Sequence, residues 1–168
     1  MSSYDLSTLS PSDATAALRS YPRRYREALR PLADDESVEE LARRYDDDGN
    51  CALDLVADTV RTWTVQAEAL RQIDLGEQPV VHPGVVDAAE RHWETSTDES
   101  LDQVLEHLEE QATALADQAD RIKGSSWNRS ATTAGHGPVS ALDVVRAAVR
   151  TGRDNLTAAE KALDAVRR

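Results

Sequence analysis

The strongest constraint on the fold is a stripe of small and apolar residues at heptad spacing near the C-terminus. It comprises Leu142, Val145, Val149, Gly152, Leu156, Ala159, Leu163 and Val166. Almost four unbroken heptads commit this stretch to a long helix with one buried face, because only a helical period returns these side chains to one side. Gly137-Pro138 interrupts what precedes it, and Ser140 with Asp143 three residues later is a capping pair. The expected helix occupies the run from Pro138 to Arg168. At about 100° per residue the apolar arc widens through Val144, Ala148 and Ala162. It encloses two polar residues one turn apart on the same face, Thr151 and Asn155.

Three more long amphipathic segments precede it. Ser10-Pro11-Ser12-Asp13 is an N-cap with proline at the first helical position, opening a helix through Leu18. Pro22 cannot donate to the helix ladder, so a kink or break is expected there before the pattern resumes over Arg23–Leu32, with Pro31 weakening its end. The acidic run Asp34-Asp35-Glu36-Ser37 leads into a short helix, Val38–Tyr45. Asp46-Asp47-Asp48-Gly49-Asn50 lacks the alternating ligands of a calcium loop and reads as a capping, solvated turn. The second long helix, about Cys51–Leu75, buries Leu53, Val56, Val60, Trp63, Ala67 and Leu70. Leu55, Thr59, Thr62, Gln66 and Ile73 widen that face, and Asp58 stands at its edge. A short helix is expected over Val85–Trp93, and a long one over about Asp98–Lys123, started by Thr97 and Ser100 and ended by Gly124. The connection Ser125–Gly137 is long for a plain turn.

The class that follows is all-α, a four-helix bundle with short extra helices in the connections and residues 1–168 as a single helical domain. The joins after the first and second long helices exceed a tight antiparallel turn, so a crossover with some parallel neighbours is expected. Phe is absent and aromatics make up 4% of the chain, which favours close packing of small aliphatic helices over an aromatic sheet core. The net charge is −12, with only 2 Lys beside 17 Arg, so the chain has neither the excess nor the clustering of cations that nucleic acid or an anionic membrane surface requires. The N-terminus has no apolar signal segment and no stretch approaches the roughly 20 apolar residues of a membrane span, which leads to the expectation of a cytoplasmic protein. The single cysteine, Cys51, reads as a small buried hydrophobe.

Four pieces of text carry a family likeness: Tyr21-Pro22-Arg23-Arg24-Tyr25, the short acidic helix before residue 50, Asn50-Cys51-Ala52-Leu53-Asp54-Leu55-Val56-Ala57-Asp58, and Gly137-Pro138-Val139-Ser140-Ala141-Leu142-Asp143-Val144-Val145-Arg146. In order and spacing they resemble the DinB/YfiT-like superfamily, which includes mycothiol-dependent maleylpyruvate isomerases and related thiol S-transferases. The resemblance implies a divalent metal held by one histidine on the second helix and by two ligands four residues apart on the last. Carried onto this sequence, those positions are Asp58, Thr151 and Asn155. All three depart from the family's pattern, and an aspartate, an alcohol and an amide are a weak set for zinc.

The remaining candidates are plainer. His107 with Glu110 reads as an exposed rim pair, His92 as a surface residue, and His82 and His136 as turn residues without a partner one helical turn away. No His-x-x-x-His or Glu-x-x-His occurs, against a ferritin-like diiron site. Asp54 and Asp58, with Asp143 and Asp154, sit on polar sides shared with Arg61, Arg146, Arg150 and Arg153, where ordinary ion pairs are expected. Gly135-His136-Gly137-Pro138 reads as a structural turn. No metal and no other cofactor is assigned from these residues. The primary expectation is therefore a binding or regulatory module that has lost the family's metal site. The alternative is a low-molecular-weight-thiol-dependent transferase or isomerase in which Thr151 and Asn155 orient substrate and Asp58 acts as a base. The partners left open are a small-molecule ligand or thiol and a second copy of the chain, since long helical stripes often bury a face in a homodimer.

Overall fold

Ser10 starts the first helix as its sequence requires: its hydroxyl accepts from the Asp13 N–H at 3.1 Å, and Pro11 occupies a position that needs no donor. The computed structural model describes residues 5–29, 38–76 and 78–167. Pro31 and the acidic run 34–37 lie outside them. Helix α1 (Pro11–Leu29) continues through Pro22 without a break. The missing N–H is outweighed by packing, because Tyr21 and Tyr25 on either side of it are buried and bonded to the backbone of the last helix.

Helix α2 (Val38–Arg43) is a single short element. Its Glu39 accepts from the N–H groups of Leu101 and Asp102 at 2.9 and 3.4 Å, capping a later helix from outside. The aspartate run behaves as a turn, with Asp46 accepting from the N–H groups of Asp48 and Asn50, each at 2.9 Å. Helix α3 (Ala52–Asp74) begins at Cys51, whose buried Sγ accepts from the Asp54 N–H. Burial pushes that thiol's pKa up, as befits a packing residue rather than a nucleophile.

The helix expected over 85–93 does not form. After strand β1 (Val80–Val81), the chain makes two 3-10 turns, Pro83–Val85 and Ala88–Glu90. Each is closed by its own preceding side chain: His82 Nδ1 accepts from the Gly84 N–H at 2.9 Å, and Asp87 accepts from the Ala89 N–H at 3.0 Å. Such local caps compete with helix extension. Helix α4 (Leu101–Arg121) starts later than expected, at a full capping box of Ser100 and Gln103, and stops before Gly124.

The long connection that follows contains strands β2 (Ser130–Thr133) and β3 (His136–Ser140). They make a sheet of order β1-β2-β3, parallel between β1 and β2 (Val80 opposite Thr132) and antiparallel between β2 and β3 (Ala131 opposite Val139). Pro138 therefore belongs to a strand, and helix α5 (Ala141–Val166) starts directly from the Ser140–Asp143 capping box.

The four long helices form a ring in which α3 and α5, α5 and α1, α1 and α4, and α4 and α3 are neighbours. Thus α1 and α3 stand at opposite corners, as do α4 and α5, and the connections after α1 and after α4 cross the bundle, whereas the long join from α3 to α4 links neighbours. The crossover expected after the first long helix is present, and the other lies after the third rather than the second. The core is continuous along the ring. No described helix is long and apolar enough to cross a membrane.

Candidate functional site

The α3–α5 seam begins with a steric requirement. A Cβ on Gly152 would lie 2.6 Å from Tyr21 Cε2 and 2.9 Å from Trp63 Cζ2. Glycine in the heptad stripe is therefore a socket that lets two aromatic rings reach the α5 backbone. Tyr21 and Trp63 meet with ring centroids 5.7 Å apart, and Tyr25 stands edge-on to Tyr21 at 6.2 Å. Each directs its polar atom at an α5 carbonyl: Tyr21 Oη at Val149 (2.9 Å), Tyr25 Oη at Gly152 (2.7 Å) and Trp63 Nε1 at Ala148 (3.0 Å). Burial raises the pKa of Tyr25, so its hydroxyl remains a donor.

Beside this cluster the seam becomes polar. Asn155 Nδ2 donates to Asp58 Oδ2 at 2.8 Å and to Thr59 Oγ1 at 2.9 Å. The amide orientation follows from chemistry, since ionised Asp58 can only accept. Thr59 Oγ1 also lies 3.1 Å from Tyr25 Oη and 3.0 Å from the Leu55 carbonyl, which links the polar seam to the aromatic cluster. Thr151 is buried and its hydroxyl turns back along its own helix to the Ala147 carbonyl at 2.9 Å.

Asp58, Thr151 and Asn155 lie together on the wall of a cleft of about 310 Å³. Arg150 and Asp154 of α5 line it too, and the loop after β1 closes the far side with Val86, Ala88 and Arg91. That loop is tied down by Gln66, whose Nε2 donates to the Val85 carbonyl at 3.0 Å, and by a ring contact of 5.6 Å between His82 and Trp93. Arg91 is half-buried, with Nε fixed on the Gly84 carbonyl at 2.7 Å. A side chain on Gly84 would sit 2.9 Å from both His82 Nδ1 and Trp93 Cη2, so this anchor is also glycine-dependent. Burial lowers the Arg91 pKa, with Asp58, Asp87 and Asp154 opposing it.

Among the described residues, one of the ion pairs expected between the helix aspartates and arginines is present, Arg153 with Asp154 at 2.9 Å. Asp54 accepts from the Tyr45 hydroxyl at 2.5 Å, Asp143 serves the α5 cap, and Arg146 donates to the Leu9 carbonyl at 2.8 Å. A shared cluster of the four carboxylates is not assembled; Asp58 and Asp154 alone of the four line the cleft. Among the histidines, His107 is the rim residue expected, 2.8 Å from Glu99 and 3.6 Å from Glu110. His136 is not merely a turn residue. It begins β3 with Nε2 at 3.5 Å from Glu90, and its ligand atom lies within 4.8 Å of those of Glu90 and Asp87. This imidazole and two carboxylates are a donor set for a divalent cation, in the loop whose Ala88 and Arg91 line the cleft.

Spacing along the chain missed this second set because His136 is brought to Asp87 and Glu90 by the β1–β2–β3 sheet, not by a helical turn. Arg91 was missed for a similar reason. The only local signal for it was an arginine in a loop punctuated by Pro83 and Gly84.

A helical bundle with a polar cleft between its second and last long helices defines the class. The model of the DinB superfamily matches residues 18–156, and the chain belongs to that superfamily. Among solved structures it is similar to YfiT from Bacillus subtilis, described as a probable metal-dependent hydrolase with an unusual four-helix bundle topology. The two share 13% identity at a TM-score of 0.72, covering 96% of this chain and 90% of that one, a likeness of fold. No curated protein sequence matches the chain.

Proposed function

We propose that this protein is a small-molecule binding module of the DinB superfamily whose cleft works without a transition metal at the family's ligand positions. The observation that carries this reading is the direction of the protons. Asn155 presents N–H groups to Asp58 and Thr59, and the Thr151 hydroxyl is directed to Ala147. A metal needs lone pairs converging on one point. Here two of the three positions offer a neutral amide and a neutral alcohol already engaged, leaving one carboxylate. That donor set does not fit zinc, and no catalytic step is assigned to a metal between these residues.

Two rival readings have specific support. The description of YfiT brings metal-dependent hydrolysis into view. In this chain the donor set for it is Asp87, Glu90 and His136, not the helix positions. The second rival is a thiol-dependent transferase or isomerase. It draws on Asp58, which lines the cleft and receives one hydrogen bond from Asn155. It requires Asp58→Ala to abolish turnover with a low-molecular-weight thiol.

The test is elemental analysis of protein purified without chelator, followed by equilibrium dialysis against zinc and manganese for the wild type, Asp58→Ala and His136→Ala. The proposal expects no metal whose retention depends on Asp58. Stoichiometric metal lost in Asp58→Ala and kept in His136→Ala would refute it.

A further inference from the structure

Charges withdrawn from water in a folded protein are normally paired, because the desolvation penalty is otherwise uncompensated. The cleft contains two that are not. Arg91 and Asp58 are both half-buried, both line the same 310 Å³ space, and no ion pair joins them or joins either to another described residue. Each is held apart from the other by its own tether: Arg91 Nε on the Gly84 carbonyl, and Asp58 Oδ2 on the Asn155 amide. The two Nη groups of Arg91 and the second oxygen of Asp58 have no partner among the described residues. Arg150, exposed on the same wall, likewise has no ion pair among the described residues, whereas Asp154 is engaged by Arg153.

From this arrangement we infer that the ligand is a small zwitterion, its carboxylate received by Arg91 with Arg150 and its ammonium group by Asp58. An anion alone would leave Asp58 beside it as a like charge, and a cation alone would face two guanidiniums. A molecule with one of each satisfies both ends, and the guanidinium's planar fork is suited to a carboxylate. The tethers fix the two charges in advance, so the ligand need not order them. This inference rests on the cleft being the ligand site, as proposed above, and adds the chemistry of what fills it.

The experiment is a titration of the full-length protein with the series glycine, β-alanine, 4-aminobutyrate, 5-aminovalerate and 6-aminohexanoate. It is followed by amide NMR shifts and calorimetry, alongside butyrate, butylamine and butyramide. The expected result is an optimum chain length binding at least tenfold tighter than butyrate or butylamine, with shifts at Thr151 and Asn155. Asp58→Asn and Arg91→Met, each checked for native helicity, should both reduce that affinity about tenfold, to the level of the single-charge probes. Should Arg91→Met fail to fold, Asp58→Asn and Arg150→Gln carry the same comparison. Failure of every amino acid in the series to bind, butyrate binding as tightly as the best of them, or binding unchanged in Asp58→Asn would overturn the inference. Butyramide shifting Thr151 and Asn155 while the amino acids do not would defeat the zwitterion and leave the cleft as a ligand site. Binding abolished by EDTA and restored by zinc would instead defeat the metal-independent reading.

Discussion

Two stretches of the same α3–α5 seam use polar groups in opposite ways. Around Gly152, the hydroxyls of Tyr21 and Tyr25 and the indole of Trp63 all end on α5 carbonyls, and the rings fill the space between the helices. On the adjoining face of α5, from Ala147 to Asn155, the seam borders a cleft lined by both Asp58 and Arg91, which no ion pair joins. The first region uses neutral donors and closes. The second holds formal charges and stays open. Neutral hydrogen bonds are compatible with dense packing, whereas unlike charges held apart by separate tethers maintain a polar space that a ligand can complete.

This contrast predicts unequal responses to substitution. The largest belongs to Gly152→Ala, because its Cβ would overlap Tyr21 and Trp63 at 2.6 and 2.9 Å. A loss of about 3 kcal/mol is expected, at the upper end of the range for overpacked cores, and chemical denaturation measures it. A neutral result would mean the aromatic cluster is looser than described. Tyr25→Phe keeps the ring but leaves the Gly152 carbonyl without its 2.7 Å donor. Denaturation should report a cost of about 1–2 kcal/mol. Asp58→Asn, by contrast, retains an oxygen for Asn155 and removes a charge that no ion pair holds. Its stability should stay within about 0.5 kcal/mol of wild type even as ligand affinity falls. A large destabilisation there would make Asp58 a structural group and erase the distinction between the two regions.

The smallest effect concerns pH and should come from neither region. His107, on α4, has its pKa raised above the ordinary histidine value of 6.5, chiefly by the hydrogen bond to Glu99, with Glu110 adding to it. A histidine whose folded pKa is raised contributes stability that is fully present below its unfolded value and disappears as pH rises through the folded one. Because the pair is exposed, the contribution should be well under 1 kcal/mol. Thermal unfolding between about pH 5.5 and 8 should therefore show a slight loss of stability with rising pH, flattened in His107→Gln. A slope unchanged by that substitution would place the titrating group elsewhere.

How much of this was legible beforehand depended on whether a feature is local. The capping box of Ser140 and Asp143 and the stripe through Leu163 mark α5 unambiguously, because both are properties of one helix. Thr151 and Asn155 followed from the same geometry, and Asp58 from the family likeness. Gly152 was visible as a member of the stripe, but its purpose required knowing that Tyr21 and Trp63 arrive from two other helices. Pro22 does not break its helix because the tertiary bonds of Tyr21 and Tyr25, which local helix chemistry omits, hold its neighbours in place. The strands escaped notice because Ala131, Thr133 and Val139 are the few buried residues among polar ones, too short a pattern to register as alternation. Arg91 and the Asp87–Glu90–His136 set depend on chain segments that meet only in the folded molecule.

Asn155 donates hydrogen bonds at a position that the family resemblance gives to a metal ligand. Its side-chain amide resonances, assigned by NMR, report on this directly during a zinc titration. The expected result is a hydrogen-bonded pair that keeps its position through one equivalent of zinc, whatever happens at Asp87, Glu90 and His136. A stoichiometric shift of the Asn155 pair that vanishes in Asp58→Asn would contradict it.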